Sequence, residues 1–387
     1  MAEINWKTLI GAKDFDELRL IAFERWQASK SKITNLNIGG VWRTLIELFC
    51  QGLADLHTLL VEIVPKRFLK YASGTWVILG AEEKGVLQKL DQKAEGLVIF
   101  GRNEATGNKV IPANSIVKTD ITPTGEELRY FVTESFVCPD GIGELAVPVI
   151  AEFTGAKYNV GQNTIKNMVT HVPGFDYVTN ASNWLTKEGA DIEDEDSLKD
   201  RTRLRWYEFA VGNPAMKYKS WALSVTGVVD CVVNDQHPRG PGTVDVIILS
   251  TAGMPTTELI NQVQTKINSL KPNTADVLVR APLTQIINLE ILIYLYPTST
   301  AEPSAIQNTA TQYTNAFFGQ GIVSGITRLK LAQDFVRLDL ATKLKNISPT
   351  DIKNVKIIDP DDDVTVPTER IAALGTFSIT IEKVDEE

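Results

Sequence analysis

Between Gly189 and Leu249 the chain changes hydrophobic period repeatedly, and each change is marked by residues that leave the backbone little choice. An acidic cluster, Asp191, Glu193, Asp194, Glu195 and Asp196, precedes the run Ser197 to Phe209. Negative charge there complements the positive end of a helix dipole and Asp is a strong N-cap, so a helix starts at this point. The Gly212-Asn213-Pro214 joint stops it, because proline is excluded from a helix interior but sits well in the first turn of the next helix. A second helix is expected from about Ala215 to Val225, ended by Thr226-Gly227. Val228 to Val233 and Thr243 to Leu249 read as strands joined by the loop His237-Pro238-Arg239-Gly240-Pro241-Gly242. Helices and strands interleaved in this order call for an α+β layer, a sheet with helices packed on it.

The N-terminal part is helical in pattern. Residues 13 to 30 place Phe15, Leu18, Leu20, Ile21, Phe23 and Trp26 at three and four spacings. From Val41 to Leu69 the residues Trp42, Ile46, Phe49, Leu53, Leu56, Leu60 and Ile63 step by four and three in alternation, the spacing of a coiled-coil seam, widened by Leu45, Leu48 and Leu59. Arg43, Glu47, Asp55 and Glu62 interrupt the run, so a bundle helix is expected rather than a membrane span. Its seam needs a cover, either residues 13 to 30 of the same chain or other subunits.

From Leu97 to about Val169 short apolar runs alternate with turn residues. LVIFG, VIPANSIV, RYFVTES, ELAVPVIAE and KYNVG read as strands of a small β domain, with Pro112, Pro123, Pro139 and Pro148 at turns, strand ends or edges. Residues 170 to 190 read as a connector. Beyond the central segment, Thr256 to Leu270 reads as a helix and Ala275 to Arg280 as a strand; Gln285 to Tyr296 reads as a long strand. Helices follow at Pro303 to Phe318 and Arg328 to Leu344, then strands near Val355 to Ile358 and Phe377 to Ile381. The order helix, turn, strand, loop, strand occurs both at WALSVTGVVDCVV…GPGTVDVII and at DLATKLKNISPTDIKNVKII…LGTFSITI, an echo consistent with a repeated unit. The expected division is a helical segment 1–80, a β-rich domain 81–185, an α+β central domain 186–282 and an α+β C-terminal domain 283–387.

At 387 residues the chain exceeds one ordinary core. A formal net charge of -9 argues against nucleic acid as the main ligand. Cys50, Cys138 and Cys231 lie far apart, which indicates neither a disulfide framework nor a zinc ribbon, and no secretory signal opens the chain. The cluster Asp191 to Asp196 lacks the sixth-position glycine and terminal glutamate of an EF-hand loop, so helix capping is expected of it rather than calcium. The run Asp359-Pro360-Asp361-Asp362-Asp363 is expected to be a solvated turn. His57 follows a seam residue and His171 precedes a turn. His237 stands near Asp235 and Arg239 in a stiff hairpin loop that has no serine, and Cys231 lies inside a strand, so no nucleophile is offered to it. No GxxxxGK[ST], GxGxxG after a strand, HExxH or GxSxG is present. No catalytic, cofactor or metal residue is therefore assigned.

The central segment resembles the baseplate J-like family, the wedge proteins of contractile phage tails and related injection particles, in four features. These are the opening EDEDSLKDR, the Gly-Asn-Pro joint, the helix end WALSVTGV and the strand GPGTVDVII. The blocks YASGTWVILGAEEKGV, AEGLVIFGR, VIPANSIVKTD, RYFVTESF and GAKYNVGQNTI extend the resemblance upstream. It implies a non-enzymatic structural subunit of a phage tail or tailocin baseplate, made in the bacterial cytoplasm and built into the particle. It further implies N-terminal helices shared with other copies of the chain and other wedge proteins, and contacts with sheath and with hub, spike or tube-initiator proteins. A glycan-binding tail module and a cell-wall-degrading enzyme are the rival readings; the latter needs a carboxylate pair across a groove, and none is singled out.

Overall fold

The structure, a computed structural model, describes residues 4–29, 32, 36–121, 126–209, 214–299, 301–319 and 326–383. The residues of the Gly-Asn-Pro joint before Pro214, and Pro123, lie outside the described residues. The chain divides into two compact units, residues 1–88 with 194–203 and residues 89–193 with 204–387.

The first unit is helical. Helix α1 (Trp6–Ile10) is capped by the Asn5 side chain, and α2 (Phe15–Ala28) by a full capping box in which Asp14 and Glu17 each bond the other's backbone N–H. The long helix α3 (Val41–Lys66) and the short α4 (Thr75–Glu82) follow. The start of α5 (Glu195–Phe209) sends Leu198 into a small core with Ala72, Val77, Ala81 and Val86. The Trp6 ring meets Phe68 at 5.6 Å and Tyr71 at 5.3 Å, fixing α1 beyond the end of α3. The helices expected at 13 to 30, 41 to 69 and 197 to 209 form in place.

The second unit opens with an antiparallel sheet that almost closes on itself. Its strands are β1 (Lys93–Gly101), β3 (Ile116–Thr119), β4 (Arg129–Val132), β6 (Glu144–Thr154), β7 (Ile165–Met168), β8 (Tyr177–Thr179) and β9 (Leu185–Lys187). The order is β7-β3-β4-β6-β1-β8, with β9 also on β1, while β2 (Lys109–Ile111) and β5 (Phe136–Cys138) form a separate pair. Between β7 and β8 the fully buried Asn180 stands in for the missing ladder. Its Oδ1 accepts from the N–H of Thr164 and of Ile165, both at 2.9 Å, and its Nδ2 donates to the Gly161 carbonyl at 2.8 Å. Inside, Tyr130, Tyr158 and Trp184 pack edge to face, and the Tyr130 hydroxyl donates to the Tyr158 carbonyl. Gly96 permits this, since a Cβ there would lie 2.4 Å from the Trp184 ring. At one end the buried Arg102 donates to the carbonyls of Ile142, Pro139, Gly107 and Thr106, clamping two loops with one guanidinium.

Three expectations fail here. The residues 170 to 190 are not a plain connector, because β8 and β9 lie within them and complete the sheet. KYNVG contributes a 3-10 turn, Ala156–Tyr158, instead of a strand. Pro148 sits inside β6, a strand flanked on both sides, opposite Leu97. It stands where the β4 register ends, at Val132↔Val149, and Thr133 just beyond still donates its N–H and hydroxyl to the Pro148 carbonyl.

The central layer has α6 (Pro214–Leu223), β10 (Val228–Asn234), β11 (Thr243–Ser250), α7 (Thr257–Leu270) and β12 (Asp276–Arg280). Strand β11 pairs antiparallel with β10 and parallel with β12. Val246 and Ile248 of β11 pack with Tyr218 and Ala222 of α6 and Val263 and Ile267 of α7. Ile247 and Leu249, on the opposite face, pack on Leu331 and Ile371. In the C-terminal layer β13 (Leu283–Leu295) lies between β14 (Ile352–Asp359), antiparallel, and β15 (Arg370–Lys383), parallel, covered by α8 (Pro303–Phe317) and α9 (Arg337–Lys345). Both layers thus have a middle strand with one antiparallel and one parallel neighbour, reached in different chain order. The helix expected from Arg328 forms only from Arg337. Before it, Ala332 has φ of 56° and Leu329, Leu331 and Phe335 are each buried in an irregular segment, so their apolar spacing served tertiary contacts and not a helix face.

Candidate assembly surfaces

Helix α3 presents three different sides. The first faces its own unit: Cys50 and Ala54 are buried, Arg43 bonds Glu47 at 2.9 Å and lies over the Phe23 ring, and His57 Nδ1 accepts from the Lys13 N–H at 3.0 Å. Small residues let α2 approach closely, and two of the four charges that interrupt the apolar run, Arg43 and Glu47, are spent here. The second side is polar, with Gln51 bonded to Asp55 and Lys66 to Glu62. The third carries the expected seam. Phe49 is 79% exposed, Leu56 49%, Leu53 42% and Leu60 37%, with Trp42, Leu45, Leu48 and Leu59 exposed beside them; Ile46 and Ile63 at the borders are half-buried. The hairpin with residues 13 to 30 therefore exists; it takes in the Trp42 end of the seam, whose ring lies 6.3 Å from that of Trp26, and leaves Phe49, Leu53, Leu56 and Leu60 exposed. By length and composition α3 is also apolar enough to cross a bilayer, although two of its three sides carry polar groups.

The acidic cluster is occupied by local work. Asp194 accepts from the N–H groups of Asp196 and Ser197 and from the Ser197 hydroxyl; burial pushes its pKa up, but these bonds hold it below the usual carboxylate range. Glu195 accepts from the Gly74 N–H, Glu193 from that of Lys89 and Asp191 from that of Ala156. In the C-terminal run, Asp363 accepts from the Arg337 N–H at the start of α9, and the Arg337 guanidinium bonds the Asp361 carbonyl.

The loop 237 to 242 joins a charge network rather than a catalytic group. His237 has φ of 54° and its Nδ1 accepts from the Gly242 N–H. Arg239 bonds Asp245 at 2.8 Å and Asp276 at 2.7 Å. Asp245 also takes Arg280 at 2.9 Å, and Arg280 reaches Glu369, which accepts from Asn234 at 2.6 Å. Burial works to raise the Asp245 pKa, but the two guanidiniums overcome it and leave it lowered; Glu369 is lowered by Asn234 and Arg280. This chain of charges ties the β10–β11 hairpin and β12 to the segment leading into β15. Residues this far apart in sequence gave no local sign of it.

An open groove of about 2250 Å³ is lined by barrel loops and by α7 and α8, with a high share of amides, among them Asn159, Asn163, Asn183, Asn261, Gln312 and Asn315. Its carboxylates Glu95, Asp120, Glu126 and Glu258 are bonded to Lys187, Asn167, Lys157 and Gln262. Each of the four is thus held by a lysine or amide side chain.

Residues 97–187 match the baseplate J-like protein barrel domain, and residues 210–281 the baseplate J-like central domain. A putative baseplate protein, gp29 of Haemophilus phage HP1, is 29% identical over 62% of this chain, and the chain spans 62% of that relative's length. The phage-like element PBSX protein XkdT and the protein YqbT, both of Bacillus subtilis, are 21% and 22% identical over 72% of this chain and 78% of their own. A chain of the six-fold-symmetrised anti-feeding prophage baseplate aligns over 93% of this chain and 90% of its own at 12% identity, with a TM-score of 0.35, too low to bear on the fold. The nearly closed sheet and the helix-backed central layer coincide with the two matched domains, so the barrel and the central layer of this chain are domains of the baseplate J-like type.

Proposed function

We propose that this chain is a structural subunit of a contractile-tail baseplate, placed in the wedge or inner ring. There its α3 seam is buried by helices of sister copies and of other wedge proteins. The observation that carries the proposal is the exposed stretch of the seam, Phe49, Leu53, Leu56 and Leu60, on a helix whose own-chain contact centres on a different side, around Cys50 and Ala54. An exposed apolar strip of this length is characteristic of an interaction surface. The family resemblance supplies the setting, and the groove carboxylates, each bonded to a lysine or amide side chain, favour this over a hydrolytic role. Sheath and hub, spike or tube-initiator proteins are the further partners, and the subunit passes on the rearrangement that releases sheath contraction. The four-part division at residues 80, 185 and 282, and the repeat of the central unit in the C-terminal layer, are parts of the same proposal.

Co-expression with the neighbouring tail genes followed by native mass spectrometry tests it. Hetero-oligomers containing this chain are expected. Deletion of residues 1–70 should abolish them while the second unit keeps its cooperative melting. A chain that stays monomeric with every neighbour, or a deleted form that assembles normally, would refute the reading. Wall-digestion zymography and a glycan array with the full chain address the two rivals.

A further inference from the structure

We propose that Glu188 is a proton-operated latch between the barrel and the central domain. Its neutral carboxyl group ties the segment after β9 to the start of α7, and ionisation releases that tie. Glu188 directly follows β9 and is 3% exposed. Its Oε1 accepts from the N–H of Thr256 at 2.8 Å, and Thr256 is the residue whose side chain caps α7. Its Oε2 is fully buried and has no hydrogen-bond partner among the described residues. Gly227 lies against that oxygen: a Cβ added there would stand 3.4 Å from Oε2 and 3.3 Å from the Leu259 side chain, so the surroundings are apolar and close-packed.

The Ser250 hydroxyl next to the carboxyl group already donates to the carbonyls of Gly253 and Met254. Its one proton is thus shared among these two carbonyls and Glu188, and the Ala252 N–H donates to its oxygen. A neutral carboxyl group asks nothing of that proton, whereas a carboxylate must draw it away from the two carbonyls or stay without a donor on Oε2. A buried ionised oxygen without a donor is costly, so the neutral form suits the closed joint and the ionised form favours opening. The segment after β9 is also held by other contacts, two from the barrel and one from the loop before α7. Gln92 bonds the Glu188 carbonyl, Asn159 makes reciprocal bonds with Gly189, and the Thr251 hydroxyl donates to the Gly189 carbonyl.

Among charged groups on the surrounding elements, Arg328 bears on Glu188 directly, and its own Nη2 is bonded to the Ser250 carbonyl. Asp230 acts on Arg328 and pairs with Lys219. Lys89 is bonded to the Val228 carbonyl, Lys187 to Glu95, and Glu258 to Gln262. Burial pushes the Glu188 pKa up to about 7, only partly opposed by the Thr256 N–H, the Ser250 and Thr256 hydroxyls and Arg328. The folded pKa is raised, so the stabilising effect is complete below the unfolded value and is lost as pH rises through the folded one.

Amide hydrogen exchange at pH 5.5 and 8.5, corrected for intrinsic rates, tests the latch on the full chain and on Glu188→Gln, whose amide reproduces the neutral acid. In the wild type, opening of residues 186–190 and 251–259 should increase roughly thirtyfold at the higher pH. In Glu188→Gln those amides should stay protected at both pH values, while residues 290–295 respond in neither protein. Equal protection of the wild type at both pH values, or the same pH response in Glu188→Gln, would overturn the proposal. Should the variant fail to fold, the wild type alone decides through its infrared carboxyl band between pH 6 and 8.5. Loss of one buried protonated carboxyl over that range supports the latch, and a constant spectrum overturns it.

Discussion

Replacing Phe49, Leu56 and Leu60 together by alanine separates the two working sides of α3. Fully burying a leucine or phenylalanine side chain contributes about 1.5–3 kcal/mol. Phe49 is 79% exposed in the free chain, Leu56 49% and Leu60 37%, so most of that contribution at Phe49 and under half at each leucine is still to be gained. Together this comes to about 3 kcal/mol, near a hundredfold in affinity for each seam that assembly covers. The free chain loses little, because exposed side chains are removed and alanine is the best helix former. Native mass spectrometry of co-expressed tail proteins reads the first effect, and circular dichroism melting reads the second. The companion variant Ala54→Phe, on the side packed against α2, should do the reverse and lower the melting temperature of the first unit through overpacking. A triple variant with an unchanged melt that assembles with wild-type affinity would show that the seam is not an interface.

Three further outcomes follow from the second unit. Asp245→Asn removes the carboxylate held between Arg239 and Arg280 and should cost about 3 kcal/mol in urea unfolding at pH 7. Asp245 and Glu369 have lowered pKa values, so their contribution is present above the unfolded carboxylate range and lost as pH falls through the folded values. Acid unfolding of Asp245→Asn should accordingly show a shallower pH dependence than that of the wild type. Arg102→Met leaves four loop carbonyls without their charged donor and should destabilise the barrel by roughly 3 kcal/mol, seen as a lower melting temperature with α3 unaffected. Asn180→Leu should open the β7–β8 closure, read as faster amide exchange at Thr164 and Ile165.

Much of this protein is legible in its sequence. The acidic start and the Ser197 to Phe209 run announced α5, and the stepping of Trp42 to Ile63 announced both α3 and its apolar side. Local chemistry decides such features: caps, dipoles and a 3.6-residue period act within a few neighbours. Short strands such as β8 and β9 were invisible because three residues carry no period, and they exist only because β1 offers them an edge. The apolar residues at 329, 331 and 335 mimicked a helix because burial, whatever its geometry, selects the same side chains.

Sequence pattern alone settled that the chain would be α+β, that α3 would carry a seam, and that the acidic residues before α5 would cap it. The fold had to decide which side of α3 its own unit would use, since Cys50 and Ala54 matter only when a second helix comes close enough to need small residues. Only the fold, likewise, could take Glu188 out of water and join Arg280 to Glu369 across 89 positions. Burial and electrostatic pairing depend on distances in space, and a linear order of residues contains no such distances.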